Sequence, residues 1–259
     1  MPLNSDEWTR AVDDFVDACA RYEDGFAEKL VPASDDDLRR LEALVPAPLP
    51  PEYRAFLKRM GRTPAGTLGG FLKDTEFGIE ASEAFYQNPP VPVPADAVYV
   101  WTVHVDAPMF LPFAKRGDSR PLLLFSWPVD PDTGAFIPTS PVETVISTSL
   151  LEYLYKQAFT WLRVPHFEIH SELQEPFVEQ KESGKALQSR RAFETLALRL
   201  GFRPVPFVIG DVAIFERPDA ALRLYSATVA PDLMYVDADD ALEHARLCEI
   251  VSDTLGVHA

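Results

Sequence analysis

The chain has 259 residues, enough for one large domain or two ordinary ones, and 47% of them are hydrophobic, which excludes extended disorder. With 40 acidic against 24 basic side chains its net charge is −16, a balance repelled by nucleic-acid phosphates and anionic membranes and suited to basic proteins, although acidity can also serve solubility alone. No run approaches the ~20 apolar residues that span a bilayer, no basic-then-apolar leader is evident, and Cys19 and Cys248, far apart, read as reduced buried thiols of a cytoplasmic protein.

Trp8, Val12, Phe15, Val16, Cys19, Tyr22 and Phe26 recur at helical spacing and predict an amphipathic helix over 5–28. Its other face carries Asp6, Glu7, Asp13, Asp14, Asp17, Glu23 and Asp24. Residues 1–37 hold eleven acidic and three basic side chains, so half of the charge imbalance lies in the first seventh of the chain. Ser34 can cap the next helix, with Asp37 three residues on and Leu38, Leu41 and Leu44 on one face. Pro50 or Pro51 opens a third helix, where a missing N–H does no harm. Tyr53, Phe56, Leu57 and Met60 form its apolar stripe, and Gly61 is placed to stop it. Strands are predicted around 68–73, 97–105, 121–127 and 142–147. The second, Val98–Val105, is apolar on both faces and should be central. Ser149 and Glu152 read as a capping box for a helix carrying Leu150, Leu151, Leu154, Tyr155, Ala158, Phe159 and Leu162. Beyond Pro165 the pattern restarts: a helix near 183–200 ending at Gly201, strands near 205–216, 221–227 and 232–236, and a helix from Asp237 to Leu255 stopped by Gly256.

Pro-Ala-Ser at 32–34, the acidic helix start, Leu38-x-x-Leu41-Glu42 and Leu49-Pro50-x-x-Tyr53-x-x-Phe56-Leu57 resemble the opening of the SUKH superfamily. That superfamily holds bacterial immunity proteins of polymorphic toxin systems and a fungal cell-wall regulator. The resemblance continues through Gly66, Gly69, Gly70, Phe71 and Leu72, through Pro112-Phe113-Ala114 with Gly117-Asp118, and into a closing helix near Ser149–Trp161, covering roughly 30–162. It implies a mixed sheet with helices packed against it, and a non-catalytic protein that occludes a cognate toxin.

Residues that could carry chemistry have bland alternatives. His166, Glu168 and His170 would share one face of an extended segment and could bind a transition metal, or they could line a solvated linker between domains. His104 and Asp106 could form a base pair serving Ser126 or Ser140, but no Gly-x-Ser-x-Gly supports it. Gly66-x-x-Gly69-Gly70 lacks the Gly-Lys-Ser/Thr of a phosphate loop, and Asp130, Asp132 and Gly134 suit a hairpin turn better than a calcium loop. The expectation is therefore an α+β protein with a SUKH-like domain over 1–162 and an α-β-β-β-α subdomain over 163–259. It uses no cofactor and no metal. It docks a basic protein toxin, not nucleic acid or membrane, through Asp13, Asp14, Asp17, Asp24, Asp35, Asp36 and Asp37.

Overall fold

A computed structural model describes residues 4–64, 75–103, 108–114, 120–127, 141–174, 183–206, 208, 212–225 and 232–257. The strand predicted at 68–73 lies outside them. The fold is α+β, and the chain divides into two compact units, Met1–Leu162 and Arg163–Ala259.

The first unit opens with α1 (Ser5–Tyr22), capped by Asn4, whose side-chain oxygen accepts the N–H groups of Asp6 and Glu7 at 3.0 Å. The helix is shorter than its periodicity suggests: it stops at Tyr22, and Phe26 is buried from a separate turn ahead of a 3₁₀ segment at Ala27–Lys29. Then come α2 (Asp35–Glu42) and α3 (Pro51–Met60). Ser34 and Asp37 form the capping box: Asp37 N–H donates to the Ser34 hydroxyl at 3.2 Å and Ser34 N–H to the Asp37 carboxylate at 2.9 Å. Leu38, Leu41, Leu49, Tyr53, Phe56, Leu57 and Met60 are all buried. Leu44 is exposed, because α2 has ended by then.

The sheet of this unit runs in sequence order through β1 (Thr75–Phe77), β2 (Ala97–Val103), β3 (Pro108–Pro112), β4 (Leu122–Ser126) and β5 (Val142–Ser147). Every pairing is antiparallel, so it is a meander rather than the mixed sheet that the resemblance implies. Neighbours in sequence are neighbours in space, and links as short as the four residues between β2 and β3 allow only reversal. The strand β2 is internal but second from the edge. A bulge between Tyr99 and Trp101 moves Trp101 onto the face opposite Tyr99. Tyr99 stacks on Phe85 of α4 (Gly78–Gln87) at 4.1 Å between centroids. Trp101 meets Phe56 of α3 and Tyr153 of α5 (Leu150–Ala158), at 6.2 and 5.0 Å. Helices thus cover both faces. Ser149 caps α5 by accepting Glu152 N–H at 3.1 Å, but only half of the expected box forms. The Glu152 carboxylate goes instead to Ser147, Thr148 and Lys156.

The second unit holds β6 (Ile169–Gln174), α6 (Ser183–Arg199), β7 (Arg203–Pro204), β8 (Val212–Arg217), β9 (Ala220–Tyr225), β10 (Leu233–Ala238) and α7 (Ala241–Leu255). Its antiparallel sheet has the order β6-β10-β9-β8-β7. One face supplies Leu173, Phe215, Leu222, Leu224, Met234 and Val236, packed with Phe193 and Ala197 of α6 and Leu247 and Val251 of α7. Two expectations change here. The segment read as a linker contains β6, hydrogen-bonded along β10 with His170 opposite Asp237. The last helix begins at Ala241 rather than Asp237, and its cap is Asp240, which accepts the N–H groups of Leu242 and Glu243 at 3.0 and 2.9 Å. Gly256 ends it in the left-handed region at φ 70°.

Candidate docking surface

The outer face of α1 and the start of α2 bring six of the seven acidic residues singled out above to the surface, but not as one uniform patch. Burying Trp8, Val12, Phe15, Val16 and Cys19 turns Asp13, Asp14 and Asp17 outward. Asp24 follows in the exposed turn. Cations of α3 reach across to this face: Arg59 pairs with Asp13 at 3.1 Å and Lys58 with Asp35 at 3.0 Å, which holds the Asp35 carboxyl below its usual range. Asp36 pairs with Arg39 on its own helix. Asp14, Asp17 and Asp24 have no cation within ion-pair distance among the described residues. The pattern follows from the sequence between 38 and 62, which holds six basic and two acidic side chains and offsets half of the acidity before it.

Asp37 is different: it is buried. Arg62 grips both of its oxygens, at 2.7 and 2.8 Å, and Arg40 reaches it at 2.7 Å. These guanidinium bonds, together with the Ser34 N–H and hydroxyl, hold its carboxyl far below the ordinary value. Asp37 therefore ties α2 to the end of α3 and presents nothing to a partner. Arg62 also reaches Glu80 and Arg40 reaches Glu83, both on α4, so the network spans three helices.

A second buried carboxylate escaped the sequence reading. Glu52, in the first turn of α3, is held by Arg120, which also donates to the Phe113 carbonyl at 3.1 Å. Its only signal in the sequence is an acidic residue directly after Pro50-Pro51.

The catalytic alternatives fare as follows. His166 ends a 3₁₀ turn, Glu168 is an exposed bend residue, and only His170 lies on β6, so the three do not share a strand face. The imidazole Nδ1 of His170 sits 2.8 Å from Asp237, which is buried and also accepts two bonds from Arg223 at 2.8 and 3.0 Å. This is a cross-strand clamp. Among the described residues no group of three or more His, Cys, Asp or Glu could hold a metal ion. His104, Asp106, Ser140, the glycines 66–70 and Asp130–Gly134 lie outside the described residues; Ser126 is exposed at the end of β4. Burial pushes both thiols up, strongly for Cys19 and less for half-buried Cys248, which makes them poor nucleophiles.

Residues 32–154 match the SMI1 / KNR4 family (SUKH-1). This segment belongs to the SUKH superfamily. The SUKH match takes in α2, α3, the whole five-stranded sheet, α4 and the start of α5; α1 and the second unit lie outside it. No curated protein matches the chain. SUKH membership is consistent with an immunity-type protein. Among the described residues no helix is long and apolar enough to cross a membrane.

Proposed function

We propose that this chain is a non-catalytic immunity protein that binds a cognate basic toxin in the cytoplasm of the producing cell and blocks it by occlusion. The observation that supports this reading is the outer face of α1 and the turn after it, where Asp14, Asp17 and Asp24 stand exposed beside the SUKH segment with no cation within ion-pair distance among the described residues. A nuclease toxin has a cationic cleft for phosphate, and a row of carboxylates on a rigid helix can occupy such a cleft as a backbone mimic. The paired residues Asp13, Asp35 and Asp36 contribute less, because docking there must first displace Arg59, Lys58 and Arg39. No cofactor takes part in this mechanism.

Stopped-flow association with any candidate toxin domain encoded beside this gene tests it. Changing Asp14, Asp17 and Asp24 to Lys should slow association about tenfold or more at low salt, and the gap should close at high salt as the field is screened. If the triple variant associates at the wild-type rate with the wild-type salt slope, another surface docks the toxin. If the neighbouring toxin neither binds nor is neutralised, the domain serves a regulatory partner instead.

A further inference from the structure

A cationic face on the second unit stands out against the acidity of the rest. The stretch 183–206 carries five basic side chains and a single acidic one, in a chain whose net charge is −16. Among the described residues eleven arginines pair with a carboxylate. Arg10 and Arg21, which do not, lie on the acidic helix α1. Arg191, Arg199 and Arg203 also have none, and they lie close together along the chain. Arg191, Thr195, Leu198 and Arg199 are exposed at spacings of four, seven and eight residues, which puts them on one side of α6. The opposite side, Phe193, Leu196 and Ala197, is in the core. Arg203 follows on the exposed edge strand β7, opposite Glu216, a carboxylate that Arg163 approaches at 3.8 Å. Leu198 is 58% exposed between the two helical arginines, whose Cα atoms are about 12 Å apart along the axis.

In a chain with sixteen surplus carboxylates, unpaired arginines around an exposed leucine are poorly served by solubility alone, because acidic side chains would supply that better. We infer that the Arg191–Leu198–Arg199 face of α6 docks an acidic segment of a partner protein, one that sets carboxylates two helical turns apart around an apolar side chain. The planar guanidinium fork suits a carboxylate bidentately, and the leucine between the forks supplies an anchor that a uniformly charged polymer cannot use. The −16 background opposes nucleic acid, whose charge extends far beyond three arginines. This site is on the second unit and does not depend on the toxin reading.

The test uses the full chain and fluorescence anisotropy. The probes are a labelled acidic helical peptide of about 15 residues, with Glu pairs eight apart flanking one Leu, the same peptide with that Leu changed to Ala, and a single-stranded oligonucleotide of equal charge. The expected result is saturable binding of the first peptide, weakened about tenfold by Arg191→Glu/Arg199→Glu and about fivefold by Leu198→Ala. The Ala peptide should bind the wild type no better than the Leu peptide binds Leu198→Ala. All three altered residues are exposed, so unchanged circular-dichroism melting separates lost binding from lost folding. The inference is overturned if the Leu peptide shows no saturable binding, if either variant binds it as the wild type does, or if the oligonucleotide binds as tightly, which would make the face a general polyanion surface.

Discussion

The two units bury the same kind of sheet, five antiparallel strands, by different means. In the first, helices cover both faces, and the bulge in β2 lets one strand send Tyr99 to one layer and Trp101 to the other. In the second, α6 and α7 pack on one apolar face, while the other carries the cross-strand group His170, Asp237, Arg223 and Tyr235, with the Arg223 guanidinium 4.5 Å from the Tyr235 ring centroid. Among the described residues each unit also encloses an arginine–carboxylate pair, Arg120 with Glu52 and Arg223 with Asp237. The first architecture relies on aromatic interdigitation, which tolerates little volume change. The second relies partly on charges that must stay paired.

Breaking those pairs should give the largest effects. Arg120→Ala and Arg223→Ala each leave a buried carboxylate short of its main partner and should cost about 3–5 kcal/mol in urea unfolding. Losses below about 1 kcal/mol would mean that water reaches these sites. Next come Leu57→Ala in the first unit and Leu222→Ala in the second, both fully buried, each at about 2–5 kcal/mol. If the units are independent domains, calorimetry should show two transitions, with each substitution lowering only its own; a single shared shift would unite them.

Asp37→Asn should cost less, about 2–3 kcal/mol, because Arg62 and Arg40 keep contact with water. Its pH dependence has a definite sign. The folded carboxyl sits below the ordinary value of 3.8, so its contribution is complete above that value and fades as pH falls through it toward the lower folded value. The wild-type advantage over Asp37→Asn should therefore be flat from neutrality to about pH 5 and shrink below about pH 4. The smallest effect on folding belongs to Asp14, Asp17 and Asp24 changed together to Lys. Stability should move by no more than about 0.5 kcal/mol while association with a basic partner slows, separating a recognition surface from a structural one.

The difference between the units also governs what could be read from the sequence. The helix pair α2–α3 was legible because capping box, proline entry and apolar stripe all agree. The helix α4 was not: it has no side-chain cap, and its small residues Ala81, Ser82 and Ala84 blur the apolar face. The strand β3 begins and ends in proline and so reads as loop until its neighbours pair with it. The polar alternation of β6 looked like a linker because its outward side chains His170 and Glu172 meet Asp237 and Tyr235 rather than an apolar core. Asp237 looked like the first turn of a helix for the same reason: local charge cannot announce a partner fourteen residues away. At the candidate surface, acidity was visible in a count along the chain. Which carboxylates α3 neutralises, and that Asp37 faces inward, depends on helix packing alone.

The close approach of α3 and α4 has a consequence for engineering. Gly78, at φ 88°, lies so near Gly61 that an added Cβ would stand 2.4 Å from the Gly61 carbonyl oxygen, and Ile79 N–H bonds that oxygen at 2.8 Å. The chain leaving α3 at Gly61 is thus tied by a backbone bond to the start of α4, with β1 paired to β2 just before it. A single methyl group at Gly78 would meet that carbonyl oxygen and pry the two helices apart, so this junction is the place to leave untouched in any redesign of the first unit.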